Sequence, residues 1–281
     1  VDRFAPPIHP EEKMSFYQPP RVFRNWEQVP EGGHPQEGTD HWSNELEFWG
    51  GDLESLSSKL GYIEQLGIDV IYLNPIHEAF TNHKYDALDY KAIAPEYGTR
   101  DELRTLIKDV HSRGMKLVLD GVFNHMGSQS PYFKDAKENP NSPYREWFFI
   151  NDTYDKGYRS WIDSKSLPEL RLENPKVRDY IYRKQDSVVQ SYLADGIDGW
   201  RLDVAFDVGP VYLADLTRTA HQRKPGSLVI GEIWNYPAAW FPAVDGIMNF
   251  SAREIIQRML RGGISAKAAN DMFSHLIKDA G

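Results

Sequence analysis

The sequence predicts a parallel α/β barrel, and three observations carry that prediction. Short apolar runs recur along the chain, helical patterns separate them, and polar residues gather at their C-terminal ends. The runs are 68–76, 116–123, 197–204, 228–233 and 244–250. Their nearly continuous apolar character fits strands buried on both faces, as in a parallel sheet flanked by helices. The best-specified helix is Arg100–Ser112, where Leu103, Leu106, Ile107 and Val110 form one stripe. Thr99 and Glu102 are spaced for a capping box and Gly114 stops the helix. Similar stripes occupy 56–66, 177–193 and 212–221. Strand, helix, strand, helix is the order of βαβ winding.

An open doubly wound sheet shares that pattern, so the strand ends decide. They read NPIHEAF from Asn74, NHMGSQS from Asn124 and GEIWNYP from Gly231, and none resembles a glycine-rich phosphate loop. Instead Asp120, Arg201, Asp203 and Glu232 stand toward the C-terminal ends of apolar strands, where barrel enzymes assemble their sites. Two long insertions interrupt the rhythm. Residues 5–50, rich in Pro and Gly and carrying Trp26, Trp42 and Trp49, are expected to form a lid over one side of the site. The aromatic-rich stretch 126–174 is expected to form a small subdomain on the other side. The chain therefore divides into 1–125, the first part of the barrel with the long loop 5–50; 126–174, inserted between the third strand and its helix; and 175–281, the continuation of the barrel.

Composition narrows the function classes. The chain has 281 residues, enough for a substantial core, with 41 acidic against 32 basic residues and a formal charge of −9. That balance repels a phosphate backbone, so no nucleic-acid partner is expected. There is no cysteine, which excludes disulfides, thiol nucleophiles and thiolate metal sites. No run approaches the roughly 20 apolar residues of a bilayer span, so no membrane partner is expected. The opening VDRFAPPIHP has neither an initiator Met nor a signal-like segment, and is read as a processing boundary. The compartment stays open, with the cytoplasm favoured over secretion, and oligomerisation is also left open.

Alternate residues of a strand share a face, so Arg201 and Asp203 in GWRLDVA point the same way. Taken alone, an Arg-x-Asp is more often a core ion pair than a functional one. Glu232 closes the next strand in LVIGEIW, again within an apolar run where an unpaired charge is costly. Two such acids on neighbouring strand ends imply a shared task. A carboxyl pair about 5–5.5 Å apart, one ionised and one protonated, is the working pair of a retaining glycosidase. The abundant Trp and Tyr suit stacking on sugar faces.

The motifs DGVFNH (Asp120 to His125), GWRLDVA (Gly199 to Ala205) and GEIW (Gly231 to Trp234) resemble three short motifs of the α-amylase superfamily, glycoside hydrolase family 13. NHKYDALDY from Asn82 also matches. LPELRLENP from Leu167 is similar to the LPxLNxENP stretch of the cyclomaltodextrinase, neopullulanase and maltogenic amylase subgroup, with maltodextrin glucosidases close by. The resemblance implies an α-amylase-type (β/α)8 barrel and a retaining hydrolase of α-glucosidic bonds in maltodextrins or cyclodextrins. It implies Asp203 as nucleophile and Glu232 as acid and then base, with Arg201 orienting Asp203. It places His83, Tyr85 and His125 at the sugar of the cleavage point, Trp234 beneath the leaving group, and Asp120 as a structural partner of Arg201. Transfer or isomerisation on the same scaffold, and an inactive amylase-like scaffold protein, are the alternatives.

Departures from the family pattern refine these expectations. Calcium-dependent α-amylases carry Lys-His shortly after the nucleophile, whereas this chain reads DVAFDVGP; the acidic loop that often follows DRF is replaced by APPIHPEEK. No cofactor is expected for the chemistry, and a structural calcium is not favoured. Arg171 stands where the subgroup commonly has Asn. After Phe250 only helical patterns follow, without the His-Asp of a seventh strand. The chain is thus read as a partial catalytic domain, from the end of strand one to strand six, and 281 residues alone are expected to be inactive.

Overall fold

The computed structural model describes residues 1–280. Its centre is a five-stranded parallel sheet in the order β3-β6-β7-β8-β9. In chain order, β1 is Val22–Phe23, β2 Glu47–Phe48, β3 Val70–Leu73, β4 His77–Ala79, β5 Ala87–Ile93, β6 Lys116–Gly121, β7 Gly199–Leu202, β8 Leu228–Gly231 and β9 Gly246–Ile247. All five apolar runs read from the sequence contain a strand of this sheet, each shorter than its run. The remaining strands pair β1 with β2 in parallel and β4 with β5 antiparallel.

The two faces of the sheet differ. Ile71, Leu73, Leu117, Leu119, Trp200, Leu202 and Val229 point outward and join Leu103, Leu106, Ile107 and Val110 of the helix Arg100–Ser112 in the main core. Each of those strand residues alternates with one on the inner face, where Val70 and Tyr72 remain exposed. Parallel register pairs Asp120 with Arg201 and Arg201 with Ile230, so the polar side chains of β6 and β7 lie in one inner row. Gly199 is required here: a Cβ would lie 2.2 Å from the Leu228 carbonyl oxygen.

Helix Arg100–Ser112 has the predicted limits, with both halves of the Thr99/Glu102 capping box formed and Gly114 at φ 75° behind it. Stripe 212–221 extends to Pro210–Arg223, proline occupying the first turn. Two stripes are interrupted. Stripe 56–66 divides into Leu53–Ser57 and Leu60–Gln65, and the Ser58 hydroxyl donates to the Ser55 carbonyl at the break. Stripe 177–193 divides into Pro175–Arg178, a π turn Asp179–Arg183 and the helix Val188–Asp195. There the Gln190 amide caps the carbonyls of Tyr182 and Arg183, and Ser187 caps the new helix.

Val1–Phe4, read as the end of a first strand, instead form a turn: Phe4 N–H donates to Val1 O at 3.1 Å. The Asp2 carboxylate holds this turn by accepting from the backbone N–H groups of Trp49 and Gly50. The long loop is not structureless, since the helical turn Pro10–Lys13 and the β1/β2 pair lie within it. In the stretch 126–174, Phe133, Phe148 and Tyr158 pack edge to face and belong to the main core. The tail forms the predicted helices, Phe250–Leu260 and Ala266–Ala280, with a small core of their own.

Candidate active site

Arg201 organises the inner end of β7. Its Nη1 lies 2.9 Å from both oxygens of Asp120 and 2.9 Å from Asp203 Oδ1, and its Nη2 lies 2.8 Å from Glu232 Oε2. One guanidinium thus holds three carboxylates, each at the end of a different strand. Asp120 is fully hidden and also accepts from the Tyr72 and Tyr85 hydroxyls. Asp203 and Glu232 are nearer the surface, their side chains 10% and 15% exposed.

The backbone joins the two acids. Val204 takes φ 39° and ψ 46°, a left-handed conformation that a β-branched residue rarely adopts and that stores on the order of 1–3 kcal/mol. The turn aims Val204 N–H at Glu232 Oε2, 2.9 Å away, while Ala205 N–H donates to the Glu232 carbonyl. Trp234 Nε1 donates to the other oxygen, Oε1, at 3.3 Å.

Three acids against one cation leave the cluster negative. Burial, followed by the charge of Asp120, pushes the Asp203 carboxyl up to about 7, with Arg201 opposing. Burial likewise raises Asp120, whereas the surrounding acids hold Arg201 charged against its own burial. Such a cluster stabilises positive charge developing close to it.

These residues open on a cleft of about 420 Å³. The structure brings Asp203, Glu232, Arg201, His83, Tyr85, His125 and Trp234 together on its lining, with Asp120 hydrogen-bonded to Arg201 and Tyr85. His83 and Tyr85 stack with centroids 5.8 Å apart. His125 is buried and pushed down to about 3 by that burial, so its ring is neutral; its Nε2 has no protein partner. Several wall residues were not singled out from the sequence, Trp161 and Glu45 among them. Trp161 stacks on His125 at 5.5 Å and donates to Asp207, and Glu45 enters from the long loop. The aromatic density of 126–174 signalled a wall there without picking out Trp161, and nothing in the sequence marked Glu45. A larger groove of about 670 Å³ beside the last two helices shares Trp234 but contains none of the clustered acids. Asp203 and Glu232 line the smaller cleft.

Comparison with known proteins agrees with the geometry. The model of the α-amylase catalytic domain matches residues 20–229. The chain belongs to the α-amylase family, glycoside hydrolase family 13. Within it the relatives are those of the neopullulanase, cyclomaltodextrinase and maltogenic amylase subgroup. Neopullulanase 2 of Thermoactinomyces vulgaris is 34% identical over 92% of this chain and 46% of its own length. A Bacillus cyclomaltodextrinase is 32% identical over all of this chain and 49% of its own. Among solved structures, the cyclic α-maltosyl-(1→6)-maltose hydrolase of Arthrobacter globiformis superposes with a TM-score of 0.85 at 29% identity, covering all of this chain and 60% of that one. The chain spans about half the length of the curated relatives it matches. Among the described residues no helix is long and apolar enough to cross a membrane.

Proposed function

We propose that the polypeptide carrying this sequence hydrolyses α-glucosidic bonds of maltodextrins or cyclodextrins with retention of configuration. The observation that carries this reading is the pair Asp203 and Glu232 on one guanidinium, at the strand ends of a cleft walled by His83, Tyr85, His125 and Trp161. In this reading Asp203 attacks the anomeric carbon while Glu232 protonates the departing glycosidic oxygen. Glu232 then takes a proton from water, whose oxygen displaces Asp203. The excess negative charge of the cluster favours the oxocarbenium-like transition state of both steps. His125, neutral and with Nε2 free, supplies a hydrogen bond to the sugar. Trp234, tied to Glu232 and half exposed, offers its face to the leaving group.

The test is product analysis by NMR with maltotriose and β-cyclodextrin, using the full polypeptide. The α-anomer should form first; initial release of the β-anomer overturns the retaining assignment, and absence of cleavage overturns the hydrolase reading. Longer oligosaccharides among the products would reveal transfer to a sugar hydroxyl. The isolated 281-residue chain should leave both substrates intact.

We further propose that calcium is dispensable. No Lys-His follows Asp203, and the Asn124 amide is turned toward His125 Nδ1 at 3.4 Å. A chelator should therefore leave the unfolding midpoint and turnover unchanged. A fall of several degrees would mean that a metal bound to the native state had been stabilising it by mass action, and would refute the proposal.

A further inference from the structure

Glu45 stands in the cleft wall with no part in the mechanism above. It closes a short 3₁₀ turn, Ser43–Glu45, within the long N-terminal loop. That turn is fastened to the loop bearing His83 and Tyr85. Asn82 N–H donates to the Glu45 carbonyl at 2.8 Å, and the Asn82 side-chain amide donates to the carbonyls of Asn44 and Glu47 at 2.7 Å each. The Glu45 carboxylate is used on one side only. Its Oε2 accepts from Trp42 N–H at 2.9 Å and lies 3.5 Å from His41 Nδ1, whereas Oε1 faces His83 Nε2 at 3.8 Å.

The tautomer of His83 follows from its other nitrogen. Nδ1 accepts from Tyr85 N–H at 3.1 Å, so the ring proton resides on Nε2. Burial lowers the pKa of His83 and keeps the ring neutral at neutral pH. Burial works against the charge of Glu45, yet the contacts with His41 and Trp42 N–H hold its carboxyl below the usual range. A donor and an ionised acceptor thus face each other across a gap too long for a direct hydrogen bond. Both line the cleft beside the Tyr85 ring. A hydroxyl lying to the cleft side of the pair can bridge the two, because it accepts from Nε2–H and donates to Oε1 at once; an ether oxygen or an apolar group satisfies one of them at most.

We propose that Glu45 is a specificity-determining residue, the acceptor that with His83 selects one hydroxyl of the glycosyl unit lying over Tyr85. The assignment rests on the α-glucan reading above. A site built to bond a hydroxyl discriminates strongly against an analogue that lacks it, because its own polar groups are then left unpaired.

The test compares kcat/KM of wild type, Glu45→Ala and Glu45→Gln in the full polypeptide on maltotriose and on maltotrioses lacking one hydroxyl at a time. Glu45→Gln preserves the turn, since its oxygen can keep Trp42 N–H while its amide nitrogen turns a donor toward His83. Both variants should lose about tenfold or more on maltotriose. On one particular deoxy analogue, all three proteins should be alike. Unchanged kcat/KM of the variants on maltotriose overturns the proposal, as does an equal loss on every analogue, which would mean that Glu45 only positions its loop. Failure of the wild type to cleave maltotriose overturns this assignment together with the reading on which it rests, whereas the other failures leave that reading intact.

Discussion

In the full polypeptide, replacing Asp203 by Asn should abolish turnover of maltotriose, by at least roughly 10³-fold in kcat with little change in KM, while making the folded protein more stable at neutral pH. The two effects have one cause. Asp203 is buried beside Asp120, and its carboxyl is pushed from 3.8 up to about 7. A carboxyl raised on folding binds protons more tightly in the native state, so folding is unhindered by it below pH about 4. The penalty for ionising it grows as pH rises from about 4 to about 7 and is complete above that. Asparagine removes this burden, which the shift limits to about 4 kcal/mol above pH 7, but it cannot form the glycosyl ester. Denaturant unfolding at pH 8 should place the variant above wild type, and the difference should vanish near pH 4. The same group sets the acid limb of wild-type activity, which should fall as pH drops below about 7. A variant that still turns over would remove Asp203 from the nucleophile's position, and one less stable than wild type at pH 8 would overturn the ionisation penalty assigned to its carboxyl.

The fold was legible where local signals and burial agree. Thr99, Glu102 and Gly114 delimit a helix whose stripe is also its buried face, so its ends fall where the sequence puts them. Strand positions were equally clear, because β6, β7 and β8 sit within continuous apolar runs and their polar exceptions, Asp120, Arg201 and Asp203, are the residues that meet. The stripe 177–193 misled because an apolar period records which side chains are buried, not whether the backbone stays helical between them. The break at Lys184 is sustained by Gln190 reaching back to two carbonyls, a contact that no residue period encodes. Val204 was illegible for a related reason: its left-handed backbone contradicts the preference of valine and is held by tertiary hydrogen bonds, Val204 N–H to the Glu232 carboxylate and Ala205 N–H to the Glu232 carbonyl among them. Glu45 could not be found from a pattern at all. Its neighbour in the cleft, His83, is far along the chain, and tertiary contacts such as the Asn82 clamp and the packing of His41 on Phe80 bring the two loops together.

Replacing Arg201 by Met should cost about 3–5 kcal/mol of stability at neutral pH and eliminate turnover, because it strands three carboxylates that the guanidinium now serves. Asp120 has no exposure through which water could replace the lost partner. The Tyr72 and Tyr85 hydroxyls that remain on it donate hydrogen bonds without neutralising its charge. With the cation gone, the carboxyls of the cluster can escape repulsion only by taking protons. The folded-state pKa values of Asp120 and Asp203 should therefore rise further, and the stability deficit should be greatest at alkaline pH and shrink as pH falls toward about 4. Urea unfolding across that range measures this slope. Adding Asp120→Asn to the Met variant should recover part of the loss, since one of the stranded charges is then absent. Arg201→Lys should fall between Met and wild type in stability yet remain catalytically impaired, because an ammonium is a single point of charge and cannot place two separate nitrogens on Asp203 and Glu232. A Met variant as stable as wild type at pH 8 would mean that the three acids do not depend on the cation, and the electrostatic account of the cluster would fail with it.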